Sequence, residues 1–235
     1  MTLEEKEKLD AETDKVLAIF EKNQPVKSDG TFEIENVKAT LLEISNLLIE
    51  DKEAEKRFLE WMDTHEFWTS PASARYHGNV KGGLAAHSLL VAWQAFVYAK
   101  TLAANFSRSK RAGKFTFSAA DIFVAAIAHD FCKAGSYNLE SRRTKDLKGN
   151  WKYEPCYKNK QDWRNLGHGN ESVLLLLESM PELLKNRTLI EAVSRHMGFS
   201  DLSEMEKINY SLFLQNPLVV LIQIADETAA QWWDV

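Results

Sequence analysis

The chain has 235 residues, 45% hydrophobic and 11% aromatic, enough to bury a sizeable core as one domain with an N-terminal appendage. A net charge of −5 argues against a broad electrostatic grip on duplex DNA while leaving room for a local basic pocket. No run approaches the roughly 18 to 20 apolar residues that span a bilayer, and the charged N-terminus lacks the apolar stretch of a secretory signal, so the expectation is a cytoplasmic protein without a membrane partner.

From the N-terminus, Thr2 and Glu5 form a candidate capping box opening a helix to about residue 24, whose thin stripe of Leu9, Val16, Ile19 and Phe20 predicts weak packing. Pro25 and Ser28 to Gly30 break it into a linker or small hairpin. Residues 1–35 are therefore expected to be an N-terminal helix and linker, with the main helical domain at 36–235. Leu41, Leu42, Ile44, Leu47 and Leu48 have helical period, and after Asp51 a further helix carries Phe58, Leu59, Trp61 and Met62. A Gly- and Pro-containing loop, Ser70 to Gly83, feeds a long helix from about Leu84 to Ala104 with His87 in its first turn.

Ser118 and Asp121 make another capping box, opening an apolar helix that delivers His129 and Asp130 side by side and is expected to stop at a left-handed Gly135. Adjacent helical residues point about 100° apart, so the pair suits one ion approached from two directions, or a carboxylate bridging two ions. Ser136 to Arg164 reads as a β-hairpin around Lys148-Gly149-Asn150. It holds eight Lys or Arg, among them Arg142, Arg143 and Arg164, against four Asp or Glu, a local positive excess suited either to an ordinary solvated hairpin or to a flap attracting phosphates. His168 lies between two glycines before a helix expected over Glu171 to Met180. A capping box of Thr188 and Glu191 is expected to open the helix ending at His196. Asn216 and Pro217 cap the last helix, in whose apolar middle Asp226 needs a compensating charge.

His87, His129, Asp130, His168, His196 and Asp226 thus all sit at helix ends or on apolar helical faces, and one shared centre explains them more economically than six separate core roles. Imidazole and carboxylate together suit Mn, Fe, Co, Ni or Zn, or Mg with more oxygen and water, as one divalent ion or two. His77 is a candidate outer residue, His65 a surface one, and Cys132 a core or supporting residue. Two cysteines are too few for a disulfide framework, so both are expected as reduced thiols. Trp232 and Trp233 offer either a contact patch or a fold-back onto the core, and leave the oligomeric state open.

These residues resemble the HD-domain superfamily of metal-dependent phosphohydrolases: a histidine (His87), an HD doublet (His129, Asp130), a distant aspartate (Asp226), and the two intervening histidines of its dinuclear subset (His168, His196). SPASARYHGNVKGGLAAHSLLVA is similar to bacterial HD-domain 3′ to 5′ exoribonucleases, while AHDFCKAGSYN, GHGNESVLLL and RHMGF look closer to uncharacterised bacterial and phage HD hydrolases. The resemblance runs from Ser70 to the C-terminus. It implies an all-α HD-type bundle, here with a β-hairpin insertion after the HD motif, and a metal-activated water attacking a phosphoester. The expected partner is a phosphorylated small molecule, a nucleotide, or a short single-stranded nucleic acid. Paired histidines of the exoribonucleases are replaced by His77-Gly78 and Arg195-His196, and no counterpart of their RNA-binding OB domain is seen, which speaks against processive RNA degradation. The resemblance assigns Asp130 and Lys133 to catalysis, and Lys133 can equally offset the helix dipole. Lys133, Arg164, Arg142, Arg143 and His77 are the candidate substrate-binding residues. A di-iron oxygenase or a non-catalytic nucleotide sensor on the same ligand set are the alternative functions.

Overall fold

The computed structural model describes residues 2–160 and 166–233, and the fold is mostly helical (62%) with one two-stranded hairpin. Helix α1 (Leu3–Asn23) starts with both arms of the Thr2 and Glu5 capping box in place. Its Leu9, Val16 and Phe20 are buried in the same core as the later helices, so it packs more firmly than its uneven stripe suggests. Buried Thr13 completes that face between Leu9 and Val16, a position that a reading of apolar residues alone misses. After Pro25, a bridge between Val26 and Phe32 closes a small hairpin. Helices α2 (Ile34–Leu48) and α3 (Lys52–Thr64) follow, the second capped by the Asp51 carboxylate, which accepts from the N–H groups of Glu53 and Ala54.

The loop to residue 82 folds tightly onto the start of α4 (Gly83–Ser107): a Cβ on Gly83 would lie 2.1 Å from the carbonyl oxygen of Gly78, so only glycine fits. This contact holds His77 beside the first turn of α4. Helix α4 is apolar nearly all round and forms the centre of the bundle, packing against α1 and α2 and, more extensively, against two later helices, α5 (Ala119–Ala128) and α10 (Pro217–Thr228).

Helix α5 opens on the expected Ser118 and Asp121 capping box but ends at Ala128, short of the expected stop. Asp130 leaves helical geometry (φ −112°, ψ 24°), and a 3₁₀ turn, Phe131–Lys133, follows. Gly135 is left-handed as expected (φ +65°), but it turns the chain away from this 3₁₀ turn rather than capping α5, and its N–H donates to Ser70 Oγ at 2.8 Å. Strands β1 (Tyr137–Lys145) and β2 (Trp151–Asn159) pair antiparallel, with Tyr137 opposite Asn159 and Lys145 opposite Trp151.

Helix α6 (His168–Ser179) begins three residues before its expected start. Helix α7 (Arg187–Ser194) is capped by Asn186, not by the expected Thr188 and Glu191 box. Asn186 accepts from the Leu189 N–H, while the Glu191 carboxylate is occupied by Asn216 Nδ2 at 2.9 Å. The two helices touch main chain to main chain, since a Cβ on Gly169 would lie 2.1 Å from the Ser194 carbonyl oxygen. Short helices α8 (Glu204–Ile208) and α9 (Tyr210–Phe213), absent from the sequence reading, lead to α10, which has the expected Asn216 cap and Pro217 at its first position. Trp233 folds back, its ring 4.6 Å from that of Trp93, while Trp232 stays 70% exposed. Among the described residues no helix is long and apolar enough to cross a membrane.

Candidate metal centre

Five polar side chains meet inside the bundle: His87 from the first turn of α4, His129 and Asp130 from the end of α5, His196 just beyond α7, and Asp226 from α10. His87, His129, Asp130 and His196 are buried, and the Asp226 side chain is 18% exposed. His87 Nε2 lies 3.1 Å from Asp226 Oδ1, and His129 Nε2 lies 3.3 Å from Asp130 Oδ2 and 3.8 Å from Asp226 Oδ1. His196 Nε2 reaches Asp130 Oδ1 at 3.5 Å. His129 keeps helical geometry (φ −53°, ψ −38°) and the chain leaves the helix at Asp130, so the two adjacent side chains reach one centre from different directions.

The hydrogen bonds behind the rings fix what faces the centre. His129 Nδ1 lies 2.7 Å from the Ala126 carbonyl oxygen, and His196 Nδ1 lies 2.7 Å from that of Val193. A carbonyl only accepts, so each Nδ1 carries the proton and each Nε2 of a neutral ring presents a lone pair. Both lone pairs then face the Asp130 carboxylate, and His129 Nε2, His196 Nε2 and Asp130 Oδ1 have no hydrogen-bond partner. Acceptor against acceptor in a buried site is costly; a proton on His129, whose pKa Asp130 raises, relieves it at that ring, and a cation among them relieves it at both. Backbone carbonyls orienting the rings in this way are the usual support of histidine ligands. The donor set therefore fits a divalent ion: His87, His129 and Asp130 form one group with donor atoms within 4.8 Å of one another, and His129, His196 and Asp226 form another.

The same proximity sets the charges. Burial alone would raise the Asp130 pKa, but the Lys133 ammonium and His129 hold it well below the usual carboxylate range. Burial opposes the charged forms of His129 and Lys133 too, yet Asp130 outweighs it and raises both. Asp226 is likewise lowered against its burial by His87 and His129. At His87 burial wins, and its pKa falls despite Asp226. Lys133 is buried and ion-paired to Asp130 Oδ2.

The remaining candidates divide. His168, half-buried at the start of α6, joins Asp130 and Cys132 in a third group of donor atoms within 4.8 Å of one another. His77 stands beside the centre with its ring centroid 4.6 Å from that of His87; burial and the His87 charge lower its pKa to about 4, so it is neutral near pH 7. Arg142 and Arg143 are exposed on β1, five and six residues beyond Tyr137, a distance of roughly 17–20 Å along an extended strand. Arg143 lies over the Trp151 ring at 4.2 Å, held by its own hairpin rather than by the centre. Arg164 lies outside the described residues. His65 is exposed as expected, and stacks on Trp61 with ring centroids 4.4 Å apart.

Four residues not proposed as ligands or substrate contacts line the cavity that Cys132 borders or feel the charge of the centre. Cys132, Lys160 and Glu171 line a cavity of about 230 Å³ together with Trp61, His65 and Ser136. Tyr137 is a fourth, its phenol pushed up to about 12 by burial and the Asp130 charge, against the opposing Lys133 ammonium. Lys160 is lost among the hairpin lysines, and the sequence marks Cys132 only as a core or supporting residue. The chain matches no protein-family model, no curated protein and no solved structure.

Proposed function

We propose that this chain is an HD-type metal-dependent phosphohydrolase, using two divalent ions to cleave a phosphoester of a nucleotide or short oligonucleotide. The observation that supports it most is the membership of Asp130 in two donor groups at once, one with His87 and His129 and one with Cys132 and His168. A carboxylate shared in that way is suited to bridging two ions. The mixed imidazole and carboxylate set accommodates Mn, Fe, Co, Ni, Zn or Mg.

Bound divalent ions would supply Lewis acidity, which makes water a competent nucleophile near neutral pH and offsets phosphoryl charge. The protein's own groups do the rest. His129 and His196, each fixed through Nδ1, keep Nε2 directed at the centre without rearrangement. Lys133 stays charged and holds Asp130 in place, and its remaining protons are available to a phosphoryl oxygen or the leaving oxygen. Neutral His77, whose Nε2 has no hydrogen-bond partner, borders the centre and is suited to a polar contact with substrate. Tyr137 keeps its phenolic proton and acts only as a donor there.

The test is to strip the protein of metal, add Mn²⁺, and screen nucleotides, dinucleoside polyphosphates, cyclic dinucleotides and short RNA for released phosphate or nucleotide. Activity that depends on the ion and disappears in Asp130→Ala is the expected result. Metal-replete protein inert toward all of them overturns the proposal. Tight nucleotide binding with the ligand recovered intact would identify a sensor instead, and oxygen uptake with iron an oxygenase.

A further inference from the structure

Cys132 sits where a metal ligand would. It lies in the 3₁₀ turn two residues after Asp130, and its donor atom, with those of Asp130 and His168, falls in a set within 4.8 Å of one another. Donors on a single divalent ion with bonds of about 2.0–2.3 Å stand roughly 3–4 Å apart, so side-chain adjustment alone closes this set around an ion. The main chain of Cys132 is fixed from both sides: its N–H donates to Ser172 Oγ at 3.2 Å and its carbonyl accepts from Ser136 Oγ at 2.5 Å. The residue is 5% exposed, and that exposure opens on the cavity of about 230 Å³ lined also by Lys160 and Gly167, which provides an entry path.

The geometry points to Cys132 as the sulfur donor of a second cation position, completed by His168 and joined to the first through Asp130. This rests on the reading of the Asp130 centre as a cation site. On binding, the sulfur–metal bond forms as the S–H bond breaks, and the proton leaves to solvent through the cavity. A thiolate is a soft ligand, so this position selects Zn²⁺, Co²⁺ or Fe²⁺ over Mg²⁺, whereas the His87, His129 and Asp226 side has imidazole and carboxylate donors only. The two positions therefore differ in metal preference.

The experiment is a titration of the metal-free protein with Co²⁺ followed by absorption. The expected result is visible cobalt bands, joined as the second equivalent enters by a near-ultraviolet thiolate-to-cobalt charge-transfer band. Cys132→Ser removes that band and weakens the second equivalent at least about tenfold while leaving the first, and Cys156→Ser leaves both unchanged. Wild-type protein provides an independent check, because Zn²⁺ protects Cys132 but not Cys156 from alkylation, read by mass spectrometry. Cobalt bound with no charge-transfer band, a band lost only in Cys156→Ser, or no protection of Cys132 overturns the thiolate assignment and leaves the cation centre standing. Absence of cobalt binding, or binding indifferent to Asp130→Ala, overturns both.

Discussion

Lys133 and Lys158 each pair with a carboxylate, Asp130 in one case and Glu140 in the other, but the first pair is buried against the end of α5 and the second stands in solvent on the hairpin. The hairpin is the richer in charge, yet water screens its pairs, and Arg143 is spent on the Trp151 ring. Fewer charges in the interior act on one another strongly enough to lower both carboxylates and to raise Lys133 and His129. Electrostatic coupling in this molecule follows burial and fixed orientation, not the number of charged residues.

Removing the shared carboxylate is the most direct way to break that contrast. Asp130→Ala is expected to lower metal-dependent phosphoester hydrolysis by at least about a thousandfold, measured as kcat/KM. Next in size, Lys133→Met leaves Asp130 buried without its cation and should destabilise the metal-free protein by about 3 kcal/mol in urea unfolding. Lys158→Met should leave the midpoint unchanged, and equal effects from the two would erase the distinction. Adding a divalent ion at about 100 times its Kd should stabilise the wild type by about 2.7 kcal/mol, and Asp130→Ala should show none of this.

His77 sharpens the comparison through pH. Its folded pKa of about 4 lies below the ordinary 6.5, so on acidification the unfolded chain takes up the proton first. Stability from this residue is complete above pH 6.5 and is lost as pH falls toward about 4. With a discount for its partial exposure, His77→Gln should remove about 2 kcal/mol of the acid-side loss in metal-free protein. An unchanged slope would show that His77 takes no part in it. The smallest effect belongs to the hairpin: Arg142→Gln with Arg143→Gln should leave kcat unchanged and raise KM less than about threefold, consistent with long-range attraction only. A hundredfold fall in kcat would bring the hairpin over the centre.

Much of the helical framework was legible because its signals are local. The Thr2, Ser118 and Asn216 caps, and the turn at Lys148-Gly149, are each written in a few adjacent residues. Where two local signals compete, sequence alone does not decide: Thr188 and Glu191 spell a capping box, but Asn216 engages Glu191 from another helix and Asn186 takes the cap. The end of α5 was illegible for a different reason, since the apolar run continues through Phe131 and Cys132 while the backbone departs from the helix at Asp130. Residues 204–213 are too short a stretch to show a period, which hid α8 and α9. In the centre, position along helices flagged His87, His129, Asp130, His196 and Asp226, which meet in space. The association of Asp130 with Cys132 depends on the 3₁₀ turn, and the cavity position of Lys160 depends on the return of β2; neither is a pattern in the chain.

The contact at Gly169 acts as a gauge for the whole centre. Helices α6 and α7 carry His168 at the head of one and His196 past the tail of the other, and their closest approach is set where Gly169 meets the Ser194 carbonyl. A single methyl group added there would wedge the pair apart and widen the aperture between the two imidazoles. The spacing of two histidine-bearing helices is thus set by a residue with no side chain at all.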